Sequence, residues 1–362
     1  MMANRSYIYA GLPLGLLCLL SGQPRPAAQE DPSRLRVNVV LVQLSVAVTD
    51  RKGNYIAGLR PEDFSITEDK IAEKISSFEE GSESGHRLIQ AAAPDKNREL
   101  PDAGAQPDAG QTARTPAEEM ISGVSGANVF LLFDTSNYMY RQFVFAQDAI
   151  ADFIRSMDDA SKIAFYSYSR NLSRSTPLTS DRFRVVNGVR STVAGDDAAL
   201  YNSLLLTVKD AAPLKGRKAI VVFSNGPDNA SSVPPEDVAE LAQSTGTIIY
   251  IISTRQAEAD PVSAAAFERM SKASGGKAYF ARTWHGEQRA FASIREDLGH
   301  LYTLSYYPQP NPNRGWRTIH VKLVGRELQK YRIRTRDGYR LLPQAALSAD
   351  SLYPRESMAN QK

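Results

Sequence analysis

The chain has 362 residues, 42% hydrophobic, 23% charged and 9% aromatic; this is room for about two domains and excludes a mainly disordered, collagen-like or multi-span membrane protein. One cysteine and four histidines exclude an intramolecular disulfide framework and argue against a Cys/His zinc site, so any metal must be held by oxygen. The formal charge of +3 is small, and no Lys/Arg stripe interleaved with aromatics points to nucleic acid.

Residues 1–28 carry Arg5, an apolar run from Ile8 to Leu20 and a small-residue segment ending Pro26, Ala27, Ala28. That order predicts a secretory signal peptide, cleaved after Gly22 or Ala28, because the run is too short for a stable membrane span. Its removal leaves 41 basic against 40 acidic residues and no transmembrane span in the mature chain. Cys18 falls inside the apolar run, so the mature chain has no thiol, as suits an oxidising compartment. Leu17 before it argues against a lipid-attachment cysteine.

Residues 34–80 read as β-rich. In Val37–Asp50 the residues Val40, Val42, Leu44, Val46 and Val48 share one parity, the period of a half-buried antiparallel strand. A turn at Asp50–Asn54 reverses it, and shorter strands are predicted at Tyr55–Leu59, Phe64–Glu68 and Ile75–Phe78. Residues 81–125 are rich in Ala, Pro, Gly, Asp and Glu without periodicity, with PDAG at 101 and again at 107, and read as a disordered linker.

From 126 to 300 four apolar runs, Val129–Phe133, Ile163–Tyr168, Ala219–Phe223 and Thr247–Ile252, have the continuity of strands buried on both faces. Helices are predicted between and after them. Met139, Phe143, Ala146, Ile150, Phe153 and Met157 form one helical stripe; Pro235–Ser244 starts with Pro and acids and stops at Gly246; Ala264–Ala273 and Gln288–His300 follow. The alternation predicts an α/β fold with a doubly wound, mostly parallel sheet. Residues 301–343 return to β character at Tyr302–Tyr307, Thr318–Val324 and Tyr331–Arg334, with turns at Pro308–Gly315 and Asp337-Gly338. Neither β segment has enough strands to stand alone, so the two are expected to pack together as a flanking all-β domain around an inserted α/β unit. Residues 344–362 read as a disordered tail.

Ligands of open α/β sheets sit beyond the strand carboxyl ends. Two polar clusters lie there, Asp134-Thr135-Ser136-Asn137-Tyr138 and Ser224-Asn225-Gly226-Pro227-Asp228-Asn229, while Gly195–Tyr201 opens a helix between them. Asp134 and Ser136 can equally be helix caps, and Asp228 and Asn229 turn residues. Tyr138 is either an ordinary surface aromatic or a binding anchor. There is no G-x-S-x-G elbow, phosphate loop, H-E-x-x-H helix or G-x-G-x-x-G turn, and His86, His285, His300 and His320 lie away from these loops, so the chain is expected not to be an enzyme.

An apolar strand ending in Asp-x-Ser, the ALYNSL helix opening, the VVFSNGPDN strand end and SGGKAYF resemble, in order, the von Willebrand factor type A fold, a Rossmann-like architecture. TDRKGNYIAGLRPEDFSITED, YTLSYYP, RTIHVKL and RTRDGY resemble the flanks of the exported VWFA-related proteins of acidobacterial type. The resemblance implies an adhesion site in which a divalent cation is held by Asp-x-Ser-x-Ser, a Thr and an Asp. Asp134 and Ser136 match, whereas Tyr138, Ala198 and Asn225 stand at the other three positions. One carboxylate and one hydroxyl form a thin shell, with Asp196, Asp197 or Asp228 as conceivable replacements, so no cofactor is expected beyond weak Mg²⁺ or Mn²⁺. The expectation is an exported protein, periplasmic or extracellular, that docks a protein partner through a rim of Tyr138, Asp197, Asn225 and Asp228 around this degenerate site. The partner is expected in the cell envelope; the oligomeric state is left open. A structural envelope component with an idle rim is the alternative, and an unrecognised hydrolase a remote third.

Overall fold

A computed structural model describes residues 41–81, 86–87, 126–157, 161–254 and 259–342; the expected leader, most of the linker and the tail lie outside the described residues. The chain begins with β1 (Val42–Thr49), β2 (Phe64–Glu68), β3 (Ile71–Glu73), β4 (Ile75–Glu80) and β5 (His86–Arg87). The central part runs β6 (Ala127–Asp134), α1 (Phe143–Ser156), β7 (Lys162–Tyr168), β8 (Leu172–Thr179), α2 (Arg182–Arg190), α3 (Leu200–Ala211), β9 (Arg217–Ser224), α4 (Pro235–Thr245), β10 (Thr247–Ser253), α5 (Pro261–Ser274), β11 (Ala278–Phe280) and α6 (Trp284–His300). It closes with β12 (Tyr302–Tyr306), β13 (Trp316–Leu323), β14 (Arg332–Arg334) and β15 (Gly338–Arg340).

The central sheet has the order β11-β10-β9-β6-β7-β8. All its pairings are parallel except β7 with the edge strand β8. Alternate residues explain the continuous apolar runs. Val129, Leu131 and Phe133 join Ile150, Phe153, Val185 and Ile294 on one face, while Phe130 and Leu132 join Leu204, Val238 and Phe267 on the other. Each strand therefore feeds two cores. Gly246 ends α4 in the left-handed conformation, φ 67°, where a glycine carries no Cβ penalty.

The N- and C-terminal segments form two antiparallel sheets, β14-β1-β12-β4-β5 and β15-β13-β2-β3. β12 lies between β1 and β4, and β13 beside β2, so the late strands complete sheets that the early ones begin. The parity read in β1 holds: Val42, Leu44, Val46 and Val48 enter the core of this platform, and Ala47, of opposite parity, enters a core of the α/β unit.

The expected strand Tyr55–Leu59 is not formed; only an isolated bridge joins Tyr55 to Thr49. Two tertiary bonds account for this. The Tyr55 hydroxyl donates to Asp297 at 2.5 Å, and the Leu59 N–H donates to the Tyr302 hydroxyl at 3.2 Å. These draw the segment off β1 toward the α/β unit and the platform core. Asp297 is fully buried and also receives the Tyr250 hydroxyl at 2.6 Å and Arg334 at 2.5 Å from both oxygens. A carboxylate of the last α/β helix is thus tied to a guanidinium of platform strand β14.

Candidate functional site

β6 and β9 lie side by side, but the chain leaves β6 toward β7 on one flank and reaches β9 on the other. This is the point in a doubly wound sheet where neighbouring loops diverge and leave a crevice. Asp134 ends β6 and Ser224 ends β9, so parallel register brings together loops about ninety positions apart in sequence.

Asp134 is fully buried. One carboxylate oxygen accepts the Ser136 N–H at 2.9 Å. The other accepts the Ser224 hydroxyl at 2.9 Å and, more weakly, the Asn225 N–H at 3.5 Å. Tyr168, the register partner of Asp134 on β7, donates its hydroxyl to Ser224 Oγ at 3.1 Å. Burial pushes the Asp134 carboxyl above its ordinary range, against the opposing pull of the Ser136, Ser224 and Tyr168 dipoles. Burial, and then the Asp134 charge, pushes the Tyr168 phenol far up. The Ser136 hydroxyl sits beside the carboxylate, fully buried, without meeting any partner in hydrogen-bond geometry.

The side-chain amide of Asn225 donates to the backbone carbonyl of Tyr138, which ties the β9 loop across to the β6 loop. The third loop is held by backbone. Gly195 N–H donates to the Thr135 carbonyl at 2.7 Å and Asn137 N–H to the Asp196 carbonyl at 2.8 Å. Ala198 is buried; its N–H donates to Asn229 Oδ1 at 2.8 Å, and its carbonyl accepts the N–H groups of Asn229 and Ala230.

The structure brings the singled-out residues to one lip, with differing surroundings. Asp197 is engaged by Arg170 at 2.5 Å and Asn229 at 3.2 Å, and the Arg170 hydrogen bond holds its carboxyl below the ordinary value. Asp228 accepts Tyr201 N–H at 2.9 Å, Ser231 N–H at 2.8 Å and Ala230 N–H at 3.2 Å, an arrangement that caps the first turn of α3 from a neighbouring loop. Its reading as a turn residue therefore describes its bonds. Tyr138 is half-buried, while Asn137 and Asp196 are exposed. Tyr168 and Arg170 escaped the sequence reading. Their only signal was a polar end to the run IAFYSY at the rim shared with Asp134. Among the described residues no group of three or more His, Cys, Asp or Glu side chains is disposed to hold a metal ion, and no helix is long and apolar enough to cross a membrane.

Residues 128–292 match the von Willebrand factor type A domain family, so this part of the chain is such a domain. Solved structures similar to the chain include BatB from Bacteroides thetaiotaomicron, at 15% identity over 48% of this chain and 98% of that one, TM-score 0.40. A von Willebrand factor type A protein from Catenulispora acidiphila is 13% identical over 62% of this chain and 68% of its own, TM-score 0.40. The vWF domain of the type V pili tip protein Mfa5 from Porphyromonas gingivalis is 12% identical over 52% of this chain and 98% of its own, TM-score 0.40. No curated protein matches the sequence.

Proposed function

We propose that the von Willebrand factor type A domain of this chain docks a protein partner through the rim around Asp134, Ser136, Tyr138 and Asn225, without a bridging cation, in a protein exported to the periplasm or the cell exterior. Domains of this family are generally non-enzymatic interaction modules.

The Asn225 bond carries the cation-free reading. An ionised aspartate at this position would set a carboxylate against the Tyr138 carbonyl and beside Asp134, an arrangement that needs a cation between the oxygens. Asn225 presents an N–H donor to that carbonyl. The Asp134 oxygens already receive a backbone N–H and a hydroxyl, and Ala198 offers no side-chain oxygen. Mg²⁺ favours near-octahedral oxygen coordination, with carboxylates supplying much of the attraction; Asp134 and Ser136 alone do not fit that demand.

Site-specific photocrosslinking tests the reading. A benzophenone side chain at position 138 or 193, with EDTA present, is expected to give a discrete adduct in an envelope extract of the producing cell. The same group at position 330, on the platform, is not. Adducts from the platform position alone would transfer the contact face to the β sheets, and adducts at 138 that vanish in EDTA would restore the cation.

A further inference from the structure

The rim has a charge and a hydrophobic flank that together specify a partner. Among the described side chains, Asp134, Asp196, Asp228 and Asp260 stand on or directly behind the lip. Asp196 is exposed and makes no side-chain hydrogen bond or ion pair with a described residue; Gly226 lies against the Asp260 carboxylate, 3.4 Å from where a Cβ would stand. The described cation bonded into these loops, Arg170, is committed to Asp197. The Ser136 hydroxyl is completely buried beside the Asp134 carboxylate.

Beside this lip runs an apolar strip. Tyr140 is 74% exposed, Val144 and Phe145 62% each and Val193 80%. Tyr140 belongs to the turn that follows Ser136. Val144 sits one helical turn before Asp148, which is paired with Arg190 at 2.5 Å, so the Val144 stripe of α1 faces the end of α2 and the loop bearing Val193. Exposed large apolar side chains gathered beside a polar rim mark interaction surfaces.

We infer that the rim takes a polypeptide segment presenting a lysine or arginine flanked by apolar side chains, the opposite charge from the carboxylate that a cation-bridged adhesion site captures. This rests on the cation-independent docking reading above. Without a bridging cation, a partner carboxylate is repelled by the exposed Asp196 while the Arg170 charge is already offset by Asp197, whereas an ammonium or guanidinium is attracted to Asp196. The apolar flanks cover Tyr140, Val144 and Val193.

The test uses the full chain and three fluorescent 12-residue peptides of one leucine- and phenylalanine-containing frame, with lysine, glutamine or glutamate at the variable positions, followed by anisotropy in EDTA and again in Mg²⁺. The lysine peptide is expected to bind at least about tenfold more tightly than the glutamate peptide, a difference of ~1.4 kcal/mol, and to weaken with salt. Asp196→Asn should reduce that preference severalfold, and Val144→Ser should weaken all three peptides alike. Equal or tighter binding of the glutamate peptide, in EDTA or only with Mg²⁺, overturns the inferred charge. A lysine preference indifferent to both Asp196→Asn and Val144→Ser places the contact off the rim and sinks the docking reading with it. Binding of none of the three up to millimolar concentration overturns the inferred partner class, and the crosslinking experiment then decides the docking reading separately.

Discussion

On the cation-free docking reading, replacing Asn225 by aspartate should create a cation dependence. The substitution deletes the donor to the Tyr138 carbonyl, at a cost of about 1–2 kcal/mol for a partly buried acceptor left unpaired. It also adds a charge near Asp134, whose carboxylate already lies 3.5 Å from the Asn225 backbone nitrogen. Two carboxylates about 6 Å apart repel by roughly 3 kcal/mol at an effective dielectric of 20, and partial exposure reduces this further. Together the terms predict a loss of about 2–4 kcal/mol, or a fall in Tm of roughly 5–10 °C for a unit of this size. Thermal unfolding followed by circular dichroism in EDTA reads that fall. Asn225→Ala, which removes the donor but adds no charge, should lose about 1–2 kcal/mol whether or not metal is present. Asn225→Asp should recover with millimolar Mn²⁺, because a second carboxylate strengthens the shell and binding to the folded state alone stabilises it. An Asn225→Asp variant whose Tm in EDTA equals that of the native protein would refute the idea that the amide occupies the cation's role.

The native chain titrated calorimetrically with Mg²⁺, Mn²⁺ or Ca²⁺ is expected to show no micromolar binding; a micromolar site abolished by Asp134→Ala would overturn the cation-free reading. Gly195→Ala places a Cβ 2.5 Å from Ser169 Cβ, so the loop that bonds Thr135 must shift; crosslinking from position 138 should fall severalfold with a stability loss of about 1–3 kcal/mol. Burial alone would raise the Asp297 pKa, but Arg334, Lys277 and the Tyr250 and Tyr55 hydroxyls hold it below its ordinary 3.8. A depressed carboxylate contributes stability above its unfolded pKa and loses it as pH falls through the folded one, so Asp297→Asn should flatten the acid limb of a pH–stability profile below about pH 4. At neutral pH the same variant should lose roughly 3–5 kcal/mol by leaving Arg334 uncompensated, measured by urea unfolding.

The fold was legible wherever burial is two-sided or strictly alternating. β9 and β10 are wholly buried and appear as unbroken apolar runs, and β1 announces its buried parity. β8 was not legible because it is an edge strand: of its eight residues only Thr176 is buried, so no apolar period marks it. α2 escaped for a similar reason, with Val185, Gly188 and Val189 its only buried positions. The meeting of the two polar loops followed from parallel strands ending at one edge. The partners inside that meeting did not. Asp197 was a candidate replacement ligand, but its pairing with Arg170 depends on how the β7–β8 turn faces the loop before α3, a relation that no local pattern carries.

That distinction explains which positions of the adhesion motif this rim keeps. Asp134 and Ser136 match the pattern, and both have work that needs no ion: the Asp134 carboxylate gathers the Ser136 N–H and the Ser224 hydroxyl, joining the ends of β6 and β9, and Ser136 supplies the backbone donor. The three departures are positions where a side-chain oxygen would serve the ion. At 198 the backbone alone holds the Asn229 loop, so alanine leaves that join intact. At 225 an amide makes a bond that an ionised carboxylate could not make. At 138 the carbonyl accepts that bond, which leaves the phenol ring without a coordinating duty and, on the docking reading, available to a partner. On the cation-free reading, a rim reorganised in this way keeps its shape at any divalent-ion concentration, and its negative charge faces whatever approaches instead of being screened by a bound ion.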